Sequence, residues 1–317
     1  PGMIAAHGHS EPLAFLLAYP VVLVNRAARV NGAGNGVAEL EIHGVNCHYT
    51  DMGHGAPVLL VHAATNHGGQ WDQVRNAMNH DGGGPYRYLL PDLFDSGNTA
   101  PWPLARALNF DDEADIVLAL MHAVGKPVHL AGHSYGGAVA LRAAVRAAQT
   151  GGGVASLCLI EPGGCPLLAA AGRQGDYEEY VGVMDAFLGA LDRGEPATAW
   201  RDFLNYYRGS PDAWDNLDPE TQDKILAKSK SQRQVYSAQM SNPTTLDELH
   251  ALDTATLIIT GSETTAPERG VCEVLMKFLP NAMLHTITGA GHPMPTSHAG
   301  EVAAALSRHI KGSIRAS

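Results

Sequence analysis

A glycine-flanked serine, set between an apolar run and an alanine-rich helix, constrains this chain more than any other feature. Val128-His129-Leu130-Ala131 reads as a short buried strand, and Gly137 to Gln149 as a helix. Between them lies Gly132-His133-Ser134-Tyr135-Gly136. Gly-x-Ser-x-Gly in that setting is a sharp strand-to-helix turn that holds a serine hydroxyl up and exposed. Gly132 and Gly136 carry no Cβ, so the backbone turns tightly and the two flanking elements approach closely. The helix behind the turn points its positive N-terminus at whatever bonds to Ser134. The string alone is common; the strand before it and the helix after it give it weight.

The same alternation recurs along the chain. Val37 to His43, Val45 to Asp51, Val58 to Val61, Tyr86 to Leu93, Ala155 to Ile160, Ala255 to Thr260 and Met283 to Thr288 read as strands. Trp71 to Asn79, Asp111 to Val124, Glu268 to Leu279 and His298 to Ile310 read as helices. Asp111, Asp112 and Glu113 suit the first turn of their helix. Strands alternating with helices imply an α/β fold: a mostly parallel sheet of about eight strands with helices on both faces. The alternation stops between Gly163 and about Leu246, a stretch with helical spacing that carries most of the aromatic residues. The expected organisation is an N-terminal arm and linker over 1–36, a core over 37–163 and 246–317, and a helical cap over 164–245.

Composition bounds the function. With 317 residues and 45% hydrophobic content the chain can bury one large core. The net charge of -11 and the lack of a basic patch argue against nucleic acid as a partner. Cys47, Cys158, Cys165 and Cys272 form no C-x-x-C pair and read as reduced structural thiols. The histidines form no H-E-x-x-H motif, so neither a metal site nor a cofactor is expected. Leu13 to Val24 is apolar but too short to span a bilayer. No Lys or Arg precedes it between Met3 and Pro12. The expectation is therefore a cytoplasmic protein whose arm packs on the body or on a second copy; the arm or the cap would then form a homodimer. The alternative is a signal segment and a secreted or periplasmic protein.

A serine hydroxyl is a poor nucleophile at neutral pH. It needs a base within hydrogen-bond reach and an acid to orient that base. His292, in Gly289-Ala290-Gly291-His292-Pro293 just after the last strand, is the candidate base; otherwise it is a surface-loop histidine. His133 adjoins Ser134, but its side chain must leave the turn in another direction, so it reads as a packing or pocket residue.

These residues resemble the α/β-hydrolase family. Leu60-Val61-His62-Ala63-Ala64 is similar to the family's oxyanion loop, with Ala63 where glycine is usual. Pro91-Asp92 through Gly97-Asn98-Thr99 is similar to its Asp-x-x-Gly-x-Gly-x-Ser turn, and Gly289 to His292 to its histidine loop. The likeness runs from about Val37 to Ile310. It implies the α/β-hydrolase fold with a helical cap, and the order Ser134, acid, His292. It also implies oxyanion donors at the backbone N–H of Tyr135 and of Ala63 or Ala64, beside His62. The family's usual acid position falls on Thr264, which cannot supply charge. Glu161, ending its strand in Leu159-Ile160-Glu161-Pro162, is the expected acid. A carboxylate there needs a partner to offset burial, and some dehalogenases and lactonases place their acid similarly. Glu263 is the alternative; Asp253, or a dyad without an acid, remains open.

Serine at position 134 argues against the alkyl-enzyme chemistry of epoxide hydrolases and haloalkane dehalogenases, which use an aspartate there. Acyl transfer remains. The expected function is hydrolysis of a small-molecule carboxylic ester or lactone through an acyl-enzyme on Ser134, with His292 as general base. A cofactor-free lyase, a C–C bond hydrolase or a non-catalytic binding module would share these elements. Trp200, Tyr206, Tyr207 and Trp214 of the cap are candidates for an apolar substrate pocket, or ordinary helix packing. Asn66 and His67, just past the oxyanion loop, are candidates for the pocket mouth or ordinary loop residues, and Arg201 and Arg208 read as solvated surface charges.

Overall fold

The computed structural model describes residues 36–80, 84–103 and 106–316. Of the arm and linker expected over 1–36, only Gly36 is described, as the first residue of the first strand; the rest, including the apolar run at Leu13 to Val24, lies outside the described residues. Eight strands form one sheet: β1 (Gly36–Ile42), β2 (Val45–Gly53), β3 (Ala56–Val61), β4 (Tyr86–Pro91), β5 (Val128–His133), β6 (Val154–Ile160), β7 (Thr256–Gly261) and β8 (Ala282–Ile287). Their spatial order is β1-β2-β4-β3-β5-β6-β7-β8. The pairings β1–β2 and β2–β4 are antiparallel, and every later pairing is parallel.

Helices cover both faces of the sheet. After a one-turn 3-10 helix at Gly68–Trp71 come α1 (Asp72–His80), α2 (Phe110–Val124) and α3 (Tyr135–Gln149). α4 (Cys165–Ala170), α5 (Gln174–Asp192), α6 (Pro196–Arg208), α7 (Pro219–Ala227), α8 (Ser229–Met240) and α9 (Leu246–Ala251) lie between β6 and β7. α10 (Ala266–Phe278), α11 (Met294–Ser297) and α12 (Ala299–Ala316) complete the chain. None of the helices among the described residues is long and apolar enough to cross a membrane.

The central strands are buried on both sides, which is why they read as unbroken apolar runs rather than alternating ones. Val58 to Val61 are wholly buried, and their side chains divide between the two faces. Leu59 and Val61 join Phe110, Ile116, Leu130 and Val139 under α2 and α3. Val58 and Leu60 join Trp71, Met78, Val302 and Ile310 under α1 and α12. A third apolar cluster, with Tyr180, Phe187, Trp200 and Trp214, belongs to the helices between β6 and β7.

Register aligns the strand ends that matter. His133 of β5 pairs with Ile160 of β6, and Ile160 with Ile259 of β7. The next residues continue the ladder: Ser134 N–H donates to Ile160 O at 3.0 Å, and Glu161 N–H to Ile259 O at 3.0 Å. Ser134 and Glu161 therefore leave the same edge of the sheet on neighbouring strands, where parallel sheets gather their sites.

Close packing at the turn after β5 is a hard constraint. A Cβ built on Gly136 would lie 2.1 Å from the carbonyl oxygen of His62, a backbone atom that cannot swing aside. Gly136→Ala is expected to cost about 3 kcal/mol, which lowers the melting temperature by roughly 6–12 °C in a domain of this size. Gly175→Ala, at an exposed position of α5 with open space around it, should be neutral or slightly stabilising. Thermal unfolding of the two variants measures the contrast.

Candidate active site

The end of β5 presents Ser134 in a backbone conformation that few L-residues adopt, φ 53° and ψ -123°. The tight turn, with glycines on both sides, over-determines that strain and aims the side chain away from the sheet. Its Oγ lies 3.0 Å from His292 Nε2. His292 Nδ1 lies 2.8 Å from Glu161 Oε2. A carboxylate can only accept, so Nδ1 carries the proton and Nε2 is left free to accept from the serine. Glu161 is fully buried at the end of β6. Its Oε1 accepts from Gly261 N–H at 2.8 Å and from the Thr260 hydroxyl at 3.3 Å.

The electrostatics follow from this packing. Burial works to raise the Glu161 carboxyl, but the hydrogen bond and charge of His292, with the Gly261 N–H, hold it below its usual value. Burial works to lower His292, yet the Glu161 hydrogen bond and charge, joined by the charge of Glu268, hold it above its usual 6.5. An ionised carboxylate behind an imidazole makes the ring a better proton acceptor. The other carboxylates considered lie elsewhere. Glu263 takes its hydrogen bond from the neighbouring Ser262 at 3.1 Å, and Asp253 takes one from Asn281. Thr264 is buried and supplies no charge.

The loop after β3 supplies backbone donors. The sequence leaves Ala63 and Ala64 open, and the structure separates them: Ala63 N–H already donates to Gln70 Oε1 at 3.0 Å, which corrects the expectation for Ala63. Ala64 N–H and Tyr135 N–H have no acceptor among the described residues. His62 shapes this loop rather than facing solvent. Its Nδ1–H donates to Ala63 O at 2.7 Å, and its Nε2 accepts from Leu93 N–H at 3.0 Å. Burial pushes His62 down to about 4, so it stays neutral in these roles. Asp92 accepts from Gly68 N–H at 2.8 Å and Asn98 N–H at 3.0 Å, pinning the adjoining turn.

Of the four aromatic candidates, one reaches the triad. The Tyr207 ring lies 5.1 Å from that of His292. Tyr206 stacks edge-on against Tyr207 and donates to Glu179 at 2.6 Å. Trp200 and Trp214 are buried within the third apolar cluster, and Trp200 Nε1 donates to Ser229 Oγ at 2.9 Å. The pocket-lining expectation is therefore corrected for these two: helix packing claims them. His67 is exposed and accepts from Gly69 N–H at 3.1 Å, capping the one-turn helix. Asn66 closes a turn onto Ala63 O. Arg201 pairs with Asp215 at 3.4 Å, and Arg208 is exposed.

Two further groups bear on metal binding. His129 and His133 stand four residues apart, a spacing that binds metal on a helix, but they fall on β5. His129 bonds Ser156 at 2.9 Å, while His133 turns to Gln70 and His292. His43, Asp112 and Asp115 bring three ligand-type atoms together. Arg106 already pairs with Asp112 at 2.7 Å and Arg146 with Asp115 at 2.9 Å.

Sequence reasoning missed Gln70 and Glu113. Glu113 is buried behind the serine turn, where it accepts from the Tyr135 hydroxyl and from Phe94 N–H, each at 3.3 Å. Burial pushes its carboxyl up to about 8. Nothing in its helix pattern separates it from the acidic first turn of α2, and Gln70 in Gly68-Gly69-Gln70-Trp71 carries no motif.

Sequence and fold both match known proteins. The family model described as "Alpha/beta hydrolase family" matches residues 58–305, more than half of the chain. The lipase LipV of Mycobacterium tuberculosis is 31% identical over 173 residues, covering 54% of this chain and 56% of that protein. The chain thus matches little more than half the length of that curated relative. A thermophilic esterase from Thermogutta terrifontis superposes with a TM-score of 0.65 at 20% identity, covering 88% of this chain and 99% of its own. A meta-cleavage product hydrolase from Pseudomonas fluorescens IP01 gives 0.62 at 19% identity, covering 88% and 98%. At these identities the two structures share the fold.

Trp200→Phe should lower stability by roughly 2 kcal/mol, through lost volume and the lost bond to Ser229. The ring resonances of His292 should not move. Thermal unfolding with histidine-selective NMR checks both outcomes.

Proposed function

Because this chain belongs to the alpha/beta hydrolase family, we propose that it is a serine ester hydrolase acting on a carboxylic ester or lactone through an acyl-enzyme. The observation that carries the reading is the unbroken chain from Ser134 Oγ to His292 Nε2 at 3.0 Å and from His292 Nδ1 to Glu161 at 2.8 Å. Two of the three named proteins support it: one is a lipase and one an esterase.

Ser134 Oγ attacks the ester carbonyl as its proton passes to His292 Nε2. Glu161 holds the resulting imidazolium in place with opposite charge. The carbonyl oxygen becomes an oxyanion facing the free N–H groups of Ala64 and Tyr135. Losing one such donor costs about 3 kcal/mol in related chemistry. His292 then returns the proton to the alcohol oxygen, which leaves. Water attacks the acyl-enzyme by the same route reversed, with His292 taking a proton from water and restoring it to Ser134. The helices over 164–245 act in this reading as a cap, and Tyr207 is the cap residue that borders the reacting groups.

Ser134→Ala should abolish hydrolysis of short p-nitrophenyl esters with the fold intact. Full retained turnover would exclude the acyl-enzyme. Glu161→Gln should lower kcat by roughly 10³–10⁴-fold, and Glu263→Gln should leave it near normal; equal effects would remove Glu161 from its role.

The pH profile follows with a definite sign. His292 must be neutral to accept the serine proton, so activity rises with pH as its proton is lost. Since its proton is held above the usual 6.5, the acid limb of kcat/KM should lie above that value. In Glu161→Gln the limb should move to lower pH. A limb unmoved by this substitution would contradict the pairing.

A further inference from the structure

One buried chain of hydrogen bonds joins the two loops on which the proposed reaction depends. Ala63 N–H donates to Gln70 Oε1 at 3.0 Å. The other end of the same amide, Gln70 Nε2, meets His133 Nδ1 at 3.1 Å. His133 Nε2 meets the backbone carbonyl of His292 at 2.9 Å. Gln70 and His133 are both buried, at 7% and 5% exposure.

The direction of every bond is forced from one end. A carbonyl oxygen can only accept, so His133 Nε2 carries a proton. Burial, with His292 beside it, holds His133 well below its usual value, so the ring is neutral and its Nδ1 is bare. A bare Nδ1 needs a donor, which fixes the Gln70 NH₂ toward it. That leaves the Gln70 oxygen for Ala63 N–H. Each link of the chain thus joins one donor to one acceptor, with the Gln70 amide accepting at one end and donating at the other. The rings of His133 and His292 also pack 4.9 Å apart.

The ends of the chain matter for chemistry. Ala63 immediately precedes the free N–H of Ala64, and the His292 carbonyl belongs to the base itself. We propose that Gln70 and His133 are positioning residues. They form a relay that locks the loop after β3 to the loop after β8, and so sets the oxyanion donor and the base at one separation over Ser134. Neither residue hydrogen-bonds Ser134 Oγ or a ring nitrogen of His292. The proposal rests on the ester-hydrolase reading for its kinetic consequence, while the relay itself can be read without catalysis.

The test has two arms. In the first, kcat and KM for a p-nitrophenyl ester are measured for Gln70→Met, His133→Phe and the double variant, normalised to the Ser134 sites that a fluorophosphonate titrates. Each single variant should lose about tenfold in kcat with little change in KM. The double variant should lose no more than the worse single one, because the two act as one unit. His133→Gln, which keeps a donor for the His292 carbonyl, should recover part of the loss.

In the second arm, ¹⁵N NMR reads the His133 ring in the otherwise unaltered protein. Nδ1 should be bare and Nε2 protonated throughout the neutral range. In Gln70→Glu, which accepts from Ala63 but cannot donate, Nδ1 should gain a proton. His133→Phe should shift both the Ala63 amide and the His292 ring resonances. A protonated Nδ1 in the unaltered protein, or unmoved Ala63 and His292 signals, would overturn the relay. Kinetic losses that multiply in the double variant, or kcat per titrated site equal to that of the unaltered enzyme, would overturn its positioning role. Absence of ester turnover in the unaltered protein would sink the ester-hydrolase reading, with the NMR arm still deciding the relay.

Discussion

A carboxylate with no solvent exposure at the end of β6 is the constraint on which the site depends. Burying Glu161 in ionised form without partners would cost several kcal/mol. The fold meets that cost with three donors from two directions: Gly261 and Thr260 at the end of β7, and His292 beyond β8. The same contacts that make the burial tolerable orient the imidazole. Removing His292 would strip Glu161 of one of its three donors, and removing Glu161 would leave His292 Nδ1–H without its acceptor, so stability and proposed chemistry share one hydrogen bond.

Sheet topology makes this convergence possible. β5, β6, β7 and β8 run parallel and adjacent, so their C-terminal ends lie side by side. β5 delivers Ser134, β6 delivers Glu161, β7 delivers the amide that holds Glu161, and the loop after β8 delivers His292. On the other side of β5, β3 delivers the loop bearing Ala64. Each strand contributes one piece at its end, and the buried Gln70–His133 chain crosses between the first and last of them.

The fold was legible in the sequence because its strands are buried on both faces and its helices alternate with them. The departures have local causes. Trp71 looks like the first residue of a helix, but it is fully buried in the preceding 3-10 turn, and α1 starts at Asp72. Met283 and Leu284 of β8 are apolar yet exposed, as happens on a strand that ends the sheet among the described residues. The serine turn and the histidine loop carry local patterns and could be found by them. The acid could not be located from pattern alone, because its identity depends on register between β5 and β6. Resemblance and the cost of burial narrowed the choice. Trp200 and Trp214 show the opposite limit: helical spacing cannot tell a pocket wall from the interior of a helical cluster. Gln70 belongs to neither class, since its role comes from a tertiary chain with no local signature.

The hydrogen bond between His292 and Glu161 is open to direct observation. Proton NMR at low temperature should show the His292 Nδ1–H as a far-downfield resonance. It should persist in Ser134→Ala and vanish in Glu161→Ala. A resonance that survives loss of the Glu161 carboxylate, or moves instead with Glu263, would place the partner of His292 elsewhere and contradict the central pairing.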